Sequence, residues 1–103
     1  MKNNFVAIDF ETSYGHIPCS IGIVEFIDGK VTNQYDSLIR PIDLKFSPIN
    51  PSKNGGIYLE DVIDEREFDE VWYEISHFFY ERNIVCHNAS TDINILIKTL
   101  KHY

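Results

Sequence analysis

Hydrophobic and polar positions divide the chain into three strand-like segments near its start and two helix-like segments further on. The first strand is an apolar run, Phe5-Val6-Ala7-Ile8, continued by Asp9-Phe10, which is typical of a strand buried on both faces. The segments Cys19 to Ile27 and Lys30 to Ile39 predict two further strands. The Asp28-Gly29 pair between them favours a tight hairpin turn, so the three strands are expected to form an antiparallel meander.

The second half of the chain predicts a helix, a strand and a second helix in turn. After a loop over residues 40 to 56, which holds three prolines and two glycines, Asp64 and Glu67 resemble a capping box at the start of a helix. Apolar residues then recur at spacings of three and four, which predicts one helix with a wide apolar stripe: Phe68, Val71, Trp72, Ile75, Phe78 and Phe79. Asn83 to His87 predicts a short fourth strand.

A closing helix is predicted after this strand, with Asn88 or Ser90 as its N-cap. Its apolar face is expected to comprise Ile93, Leu96, Ile97 and Leu100. The element order is therefore β-β-β-α-β-α, and the fourth strand would return parallel to the first after a helical crossover. The predicted fold class is α/β, with a mixed sheet flanked by helices.

Composition narrows the class of protein. The 103 residues are expected to form a single domain, and their 44% hydrophobic content is sufficient for a packed core. The formal net charge of −7 argues against a protein that binds mainly by neutralising phosphates, because such proteins carry a basic patch. Cys19 and Cys86 show no metal-ligand spacing and are interpreted as reduced thiols. No apolar stretch has the length of a signal sequence or a membrane span, so we expect a cytoplasmic protein without a membrane partner.

Two carboxylates end the first strand. Side chains two apart in a strand share a face, so Asp9 and Glu11 are expected to project together, about 6–7 Å apart along the backbone, while Ile8 and Phe10 point into the core. Ionised carboxylates in such a pair repel each other unless a cation lies between them. Exposed strands often carry such pairs as well, so this pattern alone does not establish a site.

A third carboxylate, Asp92, is predicted in the first turn of the closing helix, at the flank of its apolar stripe. A common alternative is that an acid in this position only complements the helix dipole. Three acids gathered from strand and helix ends would, however, suit a pair of hard divalent cations. We therefore interpret Asp9, Glu11 and Asp92 as candidate metal-binding residues.

These residues resemble the motifs of the DnaQ-like, or DEDD, 3′–5′ exonucleases, a family that includes the proofreading subunit of bacterial DNA polymerase III and RNase T. Residues 5–12 (FVAIDFET) are similar to its first motif, and residues 85–92 (VCHNASTD) are similar to its second. The stretch SIGIV at residues 20–24 and the segments 56–62 and 68–71 are similar to the sequence that the family has between these motifs. The resemblance covers essentially the whole chain.

The resemblance implies a ribonuclease H-like fold and the hydrolysis of terminal phosphodiesters of DNA or RNA by two Mg²⁺ or Mn²⁺ ions. It implies that Asp9, Glu11 and Asp92 are the catalytic and metal-binding acids. The partner it implies is the single-stranded 3′ end of a nucleic acid. The residues implied to line or support the binding site for that end are Phe10, Thr12, Ser13, Ile57, His87 and Asn88.

The chain departs from the family pattern in three places. It has Gly55-Gly56-Ile57-Tyr58 where relatives often have His-Gly-Ile-Thr, and Thr91 where they usually have an aromatic residue. The family's third motif, with a histidine or tyrosine general base and a fourth acid, would lie beyond Tyr103. Losing a positioned base typically costs about 10²–10⁴ in rate. We therefore expect the chain to be the N-terminal portion of a longer exonuclease domain and to be weakly active or inactive.

Without the family's fifth strand, the fourth strand would become a sheet edge, through which a homodimer is expected. Two other functions stay open at this point. One is a non-catalytic exonuclease-like module that binds nucleic acid or a protein, and the other is a structural α/β domain with solvated acids. The sequence does not distinguish DNA from RNA as the substrate.

Overall fold

The computed structural model describes residues 4–46, 56–80, 82–86 and 89–103. Within these ranges the strands are β1 (Phe5–Tyr14), β2 (Ile17–Ile27), β3 (Lys30–Leu38) and β4 (Asn83–Cys86). The helices are α1 (Leu59–Val62), α2 (Phe68–Ile75) and α3 (Ala89–His102), with short 3₁₀ turns at Ile42–Leu44 and Ser76–Phe78. None of these helices is long and apolar enough to cross a membrane.

The strands form one mixed sheet in the order β3-β2-β1-β4. β2 is antiparallel to both β1 and β3, and β4 is parallel to β1. This arrangement confirms the predicted meander and the predicted parallel return. The pairing of β1 with β4 ends at Ile8, opposite Cys86, whereas its pairing with β2 continues to Tyr14. The second half of β1 therefore extends past the end of β4.

One face of the sheet is packed against the helices. The core cluster consists of buried side chains from β1, β2, α2 and α3 and from two connecting segments: Val6, Ile8, Phe10, Ile21, Ile23, Ile39, Phe68, Val71, Ile75, Phe78, Ile95 and Leu96. Full burial of a side chain of this size contributes about 1.5–3 kcal/mol. The other face carries the alternate residues of β1, including Ala7, Asp9 and Glu11, opposite Val24, Gly22 and Ser20 of β2.

α2 begins later than the predicted capping box. Its first residue is Phe68, and Glu67 occupies the N-cap position without a side-chain cap hydrogen bond, so the capping box of Asp64 with Glu67 was wrong. The predicted apolar stripe does lie against the core, but it is not one continuous α-helix. The chain tightens into a 3₁₀ turn at Ser76, and Phe78 reaches the core from that turn.

α3 presents a different face to the core from the one predicted. Among residues 91–102 of this helix, the buried ones are Asp92, Ile95, Leu96 and Thr99. Ile97, which was predicted to be on the buried face, is 45% exposed. The true face is displaced by one residue, or about 100° around the helix, from the predicted stripe that began at Ile93. Two polar residues lie on the buried face, so apolar periodicity alone pointed to the wrong side. This displacement is what turns Asp92 toward the sheet.

An ion pair between Glu25 and Arg82 connects β2 with the chain segment just before β4. The Arg82 guanidinium, and next the Thr32 hydroxyl at 2.8 Å, hold the pKa of Glu25 below its ordinary range. A carboxylate whose pKa is lowered in the folded state stabilises the fold at pH values above its unfolded pKa of about 4.3. That contribution is lost as the pH falls through the lower, folded pKa.

The variant Glu25→Gln is therefore expected to lower the free energy of unfolding by about 0.2–1 kcal/mol at neutral pH, the usual range for a partly exposed pair. The difference from the unsubstituted chain should shrink as the pH falls from about 4 through the lower, folded pKa of Glu25, because below that pKa the carboxylate is protonated in both states. Urea unfolding at a series of pH values measures it. Glu74→Gln is the matched comparison, and its loss should be smaller, since Glu74 also pairs with an arginine, Arg66 at 2.8 Å, but is more exposed. A loss that does not change with pH would contradict the ion-pair explanation.

Candidate active site

Asp9 and Glu11 lie on the sheet face opposite the core. Asp9 is paired with Gly22 of β2 and Glu11 with Ser20, whereas Phe10 between them is buried in the core. Asp9 is exposed and Glu11 is half-buried. The alternation predicted for this strand is present, and it places two carboxylates side by side at an accessible surface.

Asp92 reaches β1 at the residue between these two acids. Its Oδ1 accepts a hydrogen bond from the backbone N–H of Phe10 at 3.3 Å, across 82 positions of sequence. Asp92 is only 3% exposed. Because β4 pairs with β1 only as far as Ile8, the carboxylate provides the acceptor for this N–H where the backbone of β4 has ended. The fold therefore brings the third acid to the segment that carries the other two.

The donor chemistry of these acids suits a hard divalent cation, which prefers carboxylate oxygens. Within the described part of the chain, no group of three or more histidine, cysteine, aspartate or glutamate residues is already gathered around one point that could hold a metal ion. Mg²⁺ is usually bound through only one or two carboxylates together with waters and substrate phosphates, rather than in an all-protein cage. The carboxylates of Asp9, Glu11 and Asp92 are therefore candidate ligands for that mode of binding.

Two thiols lie near the acids. Burial, and next the negative charge of Glu11, raise the pKa of Cys19 to about 12. Burial, and next the negative charge of Asp92, also raise the pKa of Cys86. Both cysteines are free, as expected, and both are neutral thiols at neutral pH. Since metals bind the thiolate rather than the thiol, the carboxylate oxygens are the candidate ligands near β1.

A cleft of about 370 Å³ opens beside Asp9 and Glu11 on the same face of the sheet. It is lined by residues of β1, β2 and β3 and by the segment before α1: Asp9, Glu11, Ser20, Ile21, Gly22, Asp36, Ser37, Leu38 and Ile57. A neighbouring cleft of about 430 Å³ shares Asp9, Gly22 and Asp36 and extends to Val85 and Cys86 of β4.

Asp36 is a further carboxylate in this cleft that the sequence analysis missed. It pairs with Gly22, which pairs in turn with Asp9, so Asp9 and Asp36 lie on one face about 10 Å apart across two strand spacings. A Cβ added at Gly22 would lie 3.9 Å from the carbonyl oxygen of Asp9, an ordinary contact. The backbone therefore does not require glycine here. Its effect is to leave the space between the two acids free of a side chain.

The other residues implied to bind substrate occupy different surroundings. The ring of Phe10 is in the core and its N–H is bonded to Asp92. The Ser13 hydroxyl donates to the backbone carbonyl of Lys45 at 2.6 Å. Thr12 is half-buried. Ile57 is half-buried and lines the cleft beside the acids. His87 and Asn88 lie outside the described residues. The structure therefore brings Ile57 to the acids, and the substrate-binding roles of this group stay predictions.

A family model, two related proteins and one solved structure are similar to this chain. The family model described as Exonuclease matches residues 6–103. The chain is similar to the DNA polymerase III PolC-type proteins of Thermotoga petrophila and Thermotoga maritima, with 35% identity over 100 residues in each case, covering 89% of this chain and 7% of the relative. It therefore spans about 7% of the length of these relatives. Among solved structures, exonuclease X in complex with 5′ overhanging duplex DNA is similar, with a TM-score of 0.69 and 31% identity, over 88% of this chain and 52% of that one.

Proposed function

This chain belongs to the exonuclease family, whose model matches residues 6–103, and we propose that it hydrolyses terminal phosphodiesters of DNA from the 3′ end with the help of Mg²⁺ or Mn²⁺. The family match, the relatives and the ribonuclease H-like sheet identify a DnaQ-like exonuclease, and hence a nuclease. The observation that carries the proposal is the hydrogen bond from the Phe10 N–H to Asp92, because it brings the third acid to the strand segment between Asp9 and Glu11.

Asp9, Glu11 and Asp92 would hold the cations. When bound, two such ions lower the pKa of an attacking water and stabilise the leaving 3′ oxygen. The chain itself positions the ligands. β1 places Asp9 and Glu11 on one face, and the Phe10 N–H restrains one oxygen of Asp92. Hydrogen bonds of this kind to a ligating carboxylate orient it and support metal affinity.

The cleft beside the acids is the proposed site of the terminal nucleotide. Its volume of about 370 Å³ lies in the range of small-molecule sites, which are commonly about 300–1,000 Å³. Leu38 and Ile57 provide apolar walls, and Ser20 and Asp36 provide polar groups. We propose DNA as the substrate because the similar proteins are a DNA polymerase and an exonuclease whose structure holds duplex DNA.

Turnover by this chain is proposed to be slow, because none of the described residues that line the cleft beside the acids is a histidine or a tyrosine that could act as the general base. A positioned base usually contributes about 10²–10⁴ in rate. The homodimer predicted through the edge of β4 stays a prediction, which the comparisons do not support. A mass measurement in solution tests it, and a monomer across the concentration range would count against it.

The direction and metal dependence are tested with single-stranded DNA labelled at either end. With Mn²⁺, a 3′ label is expected to appear at once as a mononucleotide, whereas a 5′ label should pass through a ladder of progressively shorter products. EDTA should abolish both signals, and added Mn²⁺ should restore them. Early release of the 5′ label, or hydrolysis that persists in EDTA, would contradict the proposal. The same assay with RNA shows whether DNA is preferred.

A second candidate function is a non-catalytic module that binds nucleic acid or a protein. The net charge of −7 and the absence of a ready three-residue metal group among the described residues favour it. Binding of Mn²⁺ by the chain, and its loss in Asp9→Ala, would support the enzyme. Binding of DNA that is unchanged by Mn²⁺ and by this substitution would support the module.

A further inference from the structure

β1 ends beyond the acids in an aromatic residue that has a lysine beside it. Tyr14 is the last residue of β1 and is 50% exposed. The Nζ of Lys45 lies 5.6 Å from the centroid of the Tyr14 ring, within the distance of a cation–π contact. The exposed half of the tyrosine offers a flat surface to another ring, next to a positive charge.

This pair is held to β1 by a buried contact. The Ser13 hydroxyl donates to the carbonyl of Lys45 at 2.6 Å, and Ser13 is only 2% exposed. The N–H of Lys45 also donates to the carbonyl of Ile42 at 3.2 Å. Both partners are therefore restrained next to each other in the free protein. A restrained pair has less conformational entropy to lose when a ligand binds.

The charge at this position differs from that of the chain as a whole. The net charge is −7, and the guanidinium groups of Arg66 and Arg82 are engaged by Glu74 and Glu25. Lys45 is exposed and contacts an aromatic face. An exposed aromatic ring with a neighbouring cation is the combination that binds single-stranded nucleic acid without sequence preference, by stacking on a base and contacting phosphate.

We propose that Tyr14 and Lys45 form a stacking platform that binds single-stranded nucleic acid upstream of its 3′ end. The inference rests on the proposed function, because the acids define where that end lies. Tyr14 is three positions after Glu11, and β1 is irregular between them, so the two residues are at most about 10 Å apart along the strand. Stacked nucleotides rise about 3.4 Å each. The platform therefore contacts a base within about three nucleotides of the bond that is cleaved.

The test measures binding of fluorescent oligonucleotides of two and eight nucleotides, as DNA and as RNA, by anisotropy with Mn²⁺ present. A phosphorothioate at the 3′-terminal linkage slows hydrolysis during the measurement. Tyr14→Ala is expected to weaken binding of the eight-nucleotide strand about 5- to 100-fold, the range for loss of one stacked base. Binding of the dinucleotide should be unchanged. Tyr14→Phe should stay within about two-fold of the unsubstituted chain, because it keeps the ring.

Lys45→Met is expected to reduce the slope of log affinity against log salt by about 0.7, the value for one phosphate contact on a single strand. Matched controls are Tyr73→Ala, since Tyr73 is 90% exposed on α2, and Lys101→Met on α3. Neither control should change the affinity or the slope.

Two results would overturn the platform. One is an equal effect of Tyr14→Ala on the long and the short oligonucleotide, and the other is no effect on either. If Asp92→Asn still abolishes hydrolysis in that case, the proposed function stands and only the platform is wrong. If neither substitution has an effect, both proposals fail. Thermal unfolding of each variant separates loss of binding from loss of fold.

Discussion

The variant Asp92→Asn is expected to lower the rate of Mn²⁺-dependent hydrolysis by at least about 100-fold, since metal ions supply several kcal/mol of transition-state stabilisation. Its free energy of unfolding should change by less than about 1 kcal/mol. The reason is that an asparagine keeps a side-chain oxygen that can accept the hydrogen bond from the Phe10 N–H at this position. The amide removes the negative charge that a cation requires. Initial rates on 3′-labelled DNA and urea unfolding of the same samples measure the two quantities.

The companion variant Asp92→Ala separates the structural role of this acid from its chemical role. Alanine leaves the buried Phe10 N–H without its acceptor, which typically costs about 1–3 kcal/mol. It should therefore lose both stability and activity. Asp28→Asn is the matched control for the change of carboxylate to amide, because Asp28 lies in the β2–β3 turn, away from the acids. Should Asp92→Asn keep full activity while Asp92→Ala unfolds more easily, Asp92 would only support the sheet, and the nuclease proposal would be wrong.

The sheet could be predicted from the sequence because its signals are local. The apolar run from Phe5 to Ile8 predicts a strand, although the structure fully buries only its Val6 and Ile8 side, and the Asp28-Gly29 turn connects two strands of matching length. Asp28 and Gly29 both have positive φ, 54° and 78°, as such a turn requires. The parallel return of β4 follows from the helical segment between the strands. Each inference needed only neighbouring residues.

The register between β2 and β3 could not be predicted in this way. The turn pairs Ile27 with Lys30, and an unbroken ladder from there would place Tyr35 opposite Gly22. A bulge near Glu25 shifts the pairing by one residue, so Asp36 faces Gly22 instead. A shift of one residue exchanges the two faces of a strand.

The physical reason for the bulge lies in distant contacts of Tyr35. The ring of Tyr35 packs against the core, 6.3 Å from the ring of Phe78, and its hydroxyl accepts a hydrogen bond from Arg66 at 3.2 Å. Burying this ring places Asp36 in the cleft. Asp36 could therefore not be assigned to the site without knowing the packing of α2 and the 3₁₀ turn that follows it.

The buried face of α3, which lies at the site itself, could not be predicted from neighbouring residues either. Periodicity places apolar residues inside, but Asp92 and Thr99 are buried polar residues. Asp92 is stable there because it accepts a hydrogen bond from β1. That hydrogen bond depends on where β4 ends, which is a property of the whole sheet. The motif resemblance singled out Asp92, which the structure brings to the Phe10 N–H between the first two acids, whereas the helical pattern placed it only at the flank.

Phe68→Ala is expected to lower the free energy of unfolding by about 3–5 kcal/mol, the usual cost of truncating a buried phenylalanine. Phe68 is 1% exposed, and its ring lies 6.1 Å from that of Phe10 and 6.1 Å from that of Trp72. A domain of this size typically has only about 5–15 kcal/mol of stability. The urea concentration at the midpoint of unfolding should therefore fall substantially. The m-value, which is the slope of the free energy of unfolding against urea concentration, should change little. Tyr73→Ala on the same helix is the control and should have almost no effect, because Tyr73 is 90% exposed.

The position of Phe68 also connects this loss of stability to the site. Its ring contacts Phe10, whose backbone N–H restrains Asp92 and whose neighbours are Asp9 and Glu11. A cavity beneath Phe10 lets this segment of β1 move, and a small displacement of catalytic groups is costly in rate. Activity per folded molecule should therefore fall in Phe68→Ala and recover in Phe68→Leu, which refills most of the cavity. If hydrolysis simply followed the folded fraction in both variants, the core beneath β1 would contribute stability alone, and the acids would be positioned by the sheet without it.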